Sequence, residues 1–194
     1  MEMEVTAYFH RVVDTIEQLP LLTIERIVGV LLRAYESGRM IYLFGNGGSA
    51  ALASHFACDL SKGAANGSGR RFQVLAFTDN VPLMTAWAND SRYEDIFAEQ
   101  LTNFVRPDDV AFAISCSGKS PNVLKALKAA REAGAFTIGL TGFHGGEMNE
   151  LCDICLIVPS DNMQIIEDLH LSVTHAVFTA LRSILCRHNG AAVA

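Results

Sequence analysis

The chain has 194 residues, half of them hydrophobic and 19% charged, which suits one compact, largely buried α/β core and excludes the disordered class. With 15 basic against 21 acidic residues, a formal net charge of −6 and no basic run, it lacks the electrostatic footprint of a nucleic-acid binder. An anionic ligand would therefore need local donors, and the surplus of apolar residues points to an oligomer interface.

Apolar residues recur at helical spacing over Thr6–Gln18 and Leu22–Ser37, and Pro20 separates the two, so the chain opens with a helical hairpin. A strand pattern follows at Met40–Phe44, then a Gly-rich turn and a helix from Ser49 to about Lys62. Gly63–Arg71 reads as a loop, Phe72–Phe77 as a strand, and Val81–Asn89 and Glu94–Val105 as helices. Asp109–Ser115 is strand-like, Pro121–Ala133 helical, Phe136–Thr141 strand-like, Cys152–Val158 a fifth strand, and Met163–Cys186 a long final helix. Strands alternating with helices at this spacing predict a parallel sheet covered on both faces, with ligands at the carboxyl ends of the strands.

Five scattered cysteines make no disulfide framework and suit reduced thiols. Cys152 and Cys155 form a C-x-x-C, but within a strand they would point to opposite faces, which favours buried structural thiols over a metal or redox site. No apolar stretch reaches the ~18 residues of a membrane span. The N-terminus Met1-Glu2-Met3-Glu4 is acidic where a signal peptide would be basic, so a cytoplasmic protein is expected.

Three stretches carry candidate chemistry. Gly45-Asn46-Gly47-Gly48-Ser49 links a strand to a helix, where backbone amides can converge on an anion or a sugar, although it fits no dinucleotide or nucleotide-phosphate motif. Ser115-Cys116-Ser117-Gly118-Lys119-Ser120 stands at the end of another strand, with Ser120 as N-cap and Pro121 at the first helical position. Helix amides, the helix dipole and three hydroxyls there could hold a phosphate without an arginine. Third, His55 and Asp59, at i and i+4, share a helix face with Leu52 and Phe56 and so should face inward. They are metal ligands, an acid/base pair or a structural pair.

The final helix carries a main stripe of Ile166, Leu169, Val173, Ala176, Ala180 and Ile184 for the sheet, and a second of Leu171, Phe178 and Leu185. Glu167 and His175 project on the second side, ~12 Å apart along the axis, so one metal could take both only if they reached toward each other. His170 points into the main stripe and reads as a satisfied core histidine.

At Phe44-Gly45-Asn46-Gly47-Gly48-Ser49 with His55, Ser115–Ser120, Leu140-Thr141-Gly142 with Gly145-Gly146, and Glu167 to His175, the chain resembles the sugar isomerase (SIS) domain family. Within it, the likeness is greatest to the phosphoheptose isomerase group, which isomerises sedoheptulose 7-phosphate. The resemblance implies one SIS domain over residues 1–194, a hairpin at 1–38 and an α/β body at 39–194, with a five-stranded flavodoxin-like sheet. It further implies a homotetramer with active sites at subunit interfaces and one zinc ion per subunit. Carried across, the zinc ligands are His55, Asp59, Glu167 and His175, with Asp59 in place of a glutamate and Glu167 in place of a glutamine. The substrate contacts become Asn46, Gly47, Gly48, Asn89, Asp90, Ser115, Cys116, Ser117, Ser120 and Glu167, with Cys116 where a threonine is usual. Asp59 and His175 take the acid/base positions. The resemblance also leaves room for a non-catalytic SIS protein that binds partners, and for an isomerase of another phosphosugar.

Overall fold

The computed structural model describes residues 4–63 and 70–188. Helices α1 (Glu4–Glu17) and α2 (Leu21–Ser37) form the expected hairpin, and α2 ends at Gly38 in the left-handed conformation, whose N–H closes onto the last turn. The body then alternates β1 (Met40–Gly45), α3 (Gly48–Cys58), β2 (Gln73–Ala76), α4 (Val81–Asp90), α5 (Ala98–Phe104), β3 (Val110–Ile114), α6 (Pro121–Glu132), β4 (Phe136–Thr141), α7 (Met148–Leu151), β5 (Ile154–Ile157) and α8 (Met163–His188). All strand pairs are parallel, in the order β2-β1-β3-β4-β5, which is the flavodoxin-like arrangement with its switch point between β1 and β3.

Central strands buried on both faces explain the unbroken apolar runs of the sequence. Ile41 and Leu43, with Val110, Phe112 and Ile114, face a core closed by α2, α3 and α8. Tyr42 and Phe44, with Ala111 and Ala113, face a second core closed by α5 and α6. The site-bearing turns leave the carboxyl ends of β1 and β3, two interior strands that pair with each other at the switch point.

Several expectations change, and one falls mostly outside the described residues. The helix from Ser49 does not run regularly to Lys62: it widens into a π-turn at Asp59–Gly63. The predicted loop Gly63–Arg71 lies mostly at 64–69, outside the described residues. Glu94–Val105 breaks into a short 3-10 turn (Tyr93–Asp95) and α5, because Ile96 and Phe97 are both pulled into the second core. On α8 the buried stripe runs Ile166, Leu169, Val173, Val177, Leu181 and Leu185, while Ala176 is exposed. Beyond Val173 the larger residues at i+4 displace the alanines chosen from the sequence.

Helix α8 also revises the expectation about membrane-length stretches. By length and by mean hydropathy (1.3 over its most apolar 18-residue window) it is apolar enough to cross one, because the polar interruptions there are mostly neutral histidine, serine and threonine. In the fold its apolar stripe instead covers the sheet.

The two sulfurs of the C-x-x-C do not part to opposite faces. Strand β5 begins only at Ile154, and Cys152 is the C-terminal cap of the one-turn helix α7, so strand alternation does not govern it. Both sulfurs lie over Gly139 in β4, where a Cβ would meet Cys152 Sγ at 2.8 Å and Cys155 Sγ at 3.3 Å.

Candidate active site

The serine loop leaves β3 as a tight turn, with Gly118 N–H donating to the Ser115 carbonyl (3.1 Å). Ser120 is the N-cap of α6 by position, yet its hydroxyl makes no cap bond and pairs instead with the Ser115 hydroxyl at 3.2 Å. Ser117 Oγ accepts from the Lys119 amide at 3.3 Å. Two hydroxyls are thus turned on one another across the mouth of the helix rather than onto its amides. A bound anion can take both together with the free N–H groups of the first turn.

The loop is fixed from behind by main chain. Gly142 N–H donates to the Cys116 carbonyl (2.9 Å), Met148 N–H to the Gly118 carbonyl (3.1 Å) and Thr141 Oγ1 to the Cys116 carbonyl (3.1 Å). Gly118 sits at φ +62° with the Gly145 carbonyl oxygen 2.0 Å from where a Cβ would stand, so only glycine fits there. His170, 1% exposed on α8, completes the backing with its Nε2 3.2 Å from the Thr141 carbonyl. Its Nδ1 has no partner among the described residues, so the histidine is only half satisfied there, and burial pushes its pKa down to about 4.

Facing the serine loop, the turn after β1 presents Gly47 at φ +54° and Asn46. The Asn46 amide exchanges two hydrogen bonds with Asn122 (2.9 and 2.8 Å) and accepts from Tyr93 (3.1 Å). Asn122 and Tyr93 were not singled out from the sequence. The available signal was Asn122 itself, a polar residue in the first turn of an amphipathic helix, and it is 1% exposed. Between the two turns lies a cavity of about 250 Å³ lined by Asn46, Gly47, Gly48, the three serines, Cys116 and Glu167. Burial, and after it the charge of Glu167, push the Cys116 thiol up to about 11, so it lines this cavity as a neutral group.

A second cavity, about 440 Å³, shares Gly48, Ser49 and Glu167 with the first and continues to His55, His170 and His175. At its far end His55 Nε2 lies 2.9 Å from His175 Nε2 and 3.5 Å from Asp59 Oδ2, and His175 Nε2 lies 3.9 Å from the same oxygen. The side chains are 50% (His55), 49% (His175) and 22% (Asp59) exposed, so this face of α3 looks into the cavity and solvent and not inward as its apolar neighbours suggested. Two imidazoles and a carboxylate with their donor atoms within 4.8 Å of one another suit a divalent zinc ion.

Glu167 does not join that trio. Its carboxylate rests on Gly48, where a Cβ would come 2.8 Å from Oε1, at the wall common to both cavities. The axial separation from His175 on α8 is the reason. Asn89 and Asp90, at the end of α4, are exposed, bond to each other (2.8 Å) and line neither cavity.

A family model described as the SIS domain matches residues 4–142. The chain is 38% identical over 188 residues to the phosphoheptose isomerase of Rhodospirillum rubrum, covering 96% of this chain and all of that one. It is 39% identical over 167 residues to that of Aliarcobacter butzleri, covering 86% of each. Among solved structures, the phosphoheptose isomerases of Francisella tularensis (TM-score 0.87, 28% identity) and Neisseria gonorrhoeae (0.85, 30%) cover 93% and 92% of this chain and 97% of their own. A parallel sheet with a serine-lined cavity at its switch point, joined to a His–Asp–His trio, and likeness over nearly the whole length agree: the chain belongs to the SIS-domain family, in its phosphoheptose isomerase branch.

Proposed function

We propose that the chain is an aldose–ketose isomerase that converts sedoheptulose 7-phosphate to D-glycero-D-manno-heptose 7-phosphate through an enediolate. The observation that carries this reading is the pair of adjoining cavities, one able to hold a phosphate and the other lined by proton-carrying groups, with Glu167 and Gly48 between them. Such a reaction moves a proton between adjacent carbons and needs a base, an acid and positive charge near the developing oxyanion. In this reading Asn46, Gly47, Gly48, Ser115, Ser117 and Ser120 hold the phosphate end. In the same reading Asp59 takes the carbon-bound proton and His175 handles the proton of the neighbouring oxygen. His55, Asp59 and His175 would hold the zinc, with Glu167 able to approach as a fourth ligand. When bound, zinc supplies Lewis-acid polarisation of the sugar oxygens.

The same reading includes a homotetramer, supported by the exposed apolar row Val5, Phe9, Val13, Ile16, Leu21 and Leu22 along the hairpin, and a cytoplasmic location, supported by five free thiols. Incubation of the purified protein with sedoheptulose 7-phosphate, with and without a chelator, tests it. Heptose 7-phosphate that forms and then ceases on chelation is the expected result, and no aldose from the zinc-loaded protein would overturn the reading.

A further inference from the structure

Cys152 and Cys155 take no part in the site above, and the sequence argument against their working together fails in the fold. Cys152 closes the last turn of α7, its N–H donating to the Met148 carbonyl (3.0 Å), while Cys155 pairs with Gly139 in the β4–β5 ladder. Their sulfurs converge on the space left by the missing Gly139 side chain. Both residues are partly exposed. By contrast Cys116 is buried, and Cys58 and Cys186 stand apart on α3 and α8.

We propose that Cys152 and Cys155 form a dithiol modification site that reacts with low-molecular-weight disulfides and closes into an intramolecular disulfide behind the phosphate-binding loop. The neighbouring Cys152 side chain lowers the Cys155 pKa and marks it as the attacking sulfur, while the proton held on Cys152 keeps that thiol neutral. Cys155 thiolate attacks one sulfur of R–S–S–R, forming a mixed disulfide and releasing RS⁻. Cys152 then gives its proton to that thiolate and attacks the Cys155 sulfur, expelling the second RS⁻, which takes up the proton that Cys155 lost on ionising. The net change is one protein disulfide and two R–SH, with the protein oxidised by two electrons and the reagent reduced by two.

The position gives the reaction a consequence. Helix α7 is a single turn with Cys152 at one end and Met148 at the other, and the Met148 N–H holds the Gly118 carbonyl of the serine loop. Drawing Cys152 onto Cys155 pulls this turn toward β5 and away from the loop it braces.

Trypsin places both residues on one peptide, Glu132–Arg182, free of the other three cysteines. After the whole protein is incubated with oxidised glutathione, that peptide is expected to lose about 2 Da, the two thiol hydrogens, and to carry no glutathione. The Cys152→Ser variant should instead trap glutathione on Cys155, a gain of about 305 Da. A wild-type peptide that stays reduced, or that retains glutathione on either cysteine, overturns the proposal. A second arm rests on the isomerase reading: oxidised protein should show a raised KM for sedoheptulose 7-phosphate, reversed by reductant and absent in Cys155→Ser treated alike. An unchanged KM with the disulfide formed overturns the link to the loop. The peptide arm stands without any activity, so failure of the isomerase reading and failure of the dithiol are told apart.

Discussion

The serine loop and the His55–Asp59–His175 trio are built on different plans. Main chain shapes the loop: carbonyls of Cys116 and Gly118 are held by amides of Gly142 and Met148, and the Gly145 carbonyl sits against Gly118. The trio is held by side chains from two distant segments, α3 with its π-turn and α8, and comes together only because those elements pack on the same face of the sheet. Changing single side-chain atoms should therefore damage the trio chemically and leave the fold intact. Damage to the loop needs a change in packing, and it should appear as lost stability.

The largest effect expected is on the trio. Asp59→Asn keeps size and removes the charge, so kcat should fall by roughly 10²–10⁴ while sugar-phosphate binding by calorimetry persists. Unchanged turnover would remove Asp59 from the acid/base role. On the other side of the comparison, Gly118→Ala forces a Cβ against a carbonyl at positive φ and should cost on the order of 3 kcal/mol in denaturant unfolding. A cost near zero would show that the loop is not set by its backbone.

His170 lies between the two regimes, since it braces the loop from the trio's helix. Its folded pKa is depressed from 6.5 to about 4. The unfolded chain therefore binds a proton that the native protein refuses. Stability is then full above pH 6.5 and declines as pH falls toward 4, by about 3 kcal/mol from this group. Unfolding midpoints measured across that window should lose this slope in His170→Gln, and an identical slope in the variant would refute it. The smallest effect belongs to Ser120→Ala. Because that hydroxyl makes no cap bond, stability should change by less than about 1 kcal/mol, and the loss should appear in phosphate affinity instead.

The α/β order was legible because doubly buried parallel strands read as plain apolar runs, as Met40–Phe44 and Phe136–Thr141 do. His55 and Asp59 were legible as a pair because their spacing is local. What periodicity could not supply is contact between distant segments: the Asn46–Asn122 amide pair, the Gly142–Met148 turn clasping the serine loop, and the choice of His175 over Glu167 as partner to His55. Local apolar spacing also continued through the break at Ile96–Phe97 and drifted along α8, where more than one phase is apolar. The sulfur pair was misread because strand alternation was applied to a residue that caps a helix.

Helix α3 begins at Gly48, on the wall of the serine-lined cavity, and carries His55 seven residues later. That length of helix rises about 10 Å and does not stretch. On the isomerase reading it works as a ruler laid between the cavity that would grip the phosphate and the trio where the carbonyl would arrive. A shorter ketose phosphate could be gripped equally well and still fall short of the far mark. Comparing five- and seven-carbon ketose phosphates would show this as lost kcat at similar affinity, with substrate length selected by the rigidity of a helix and not by contacts along the sugar.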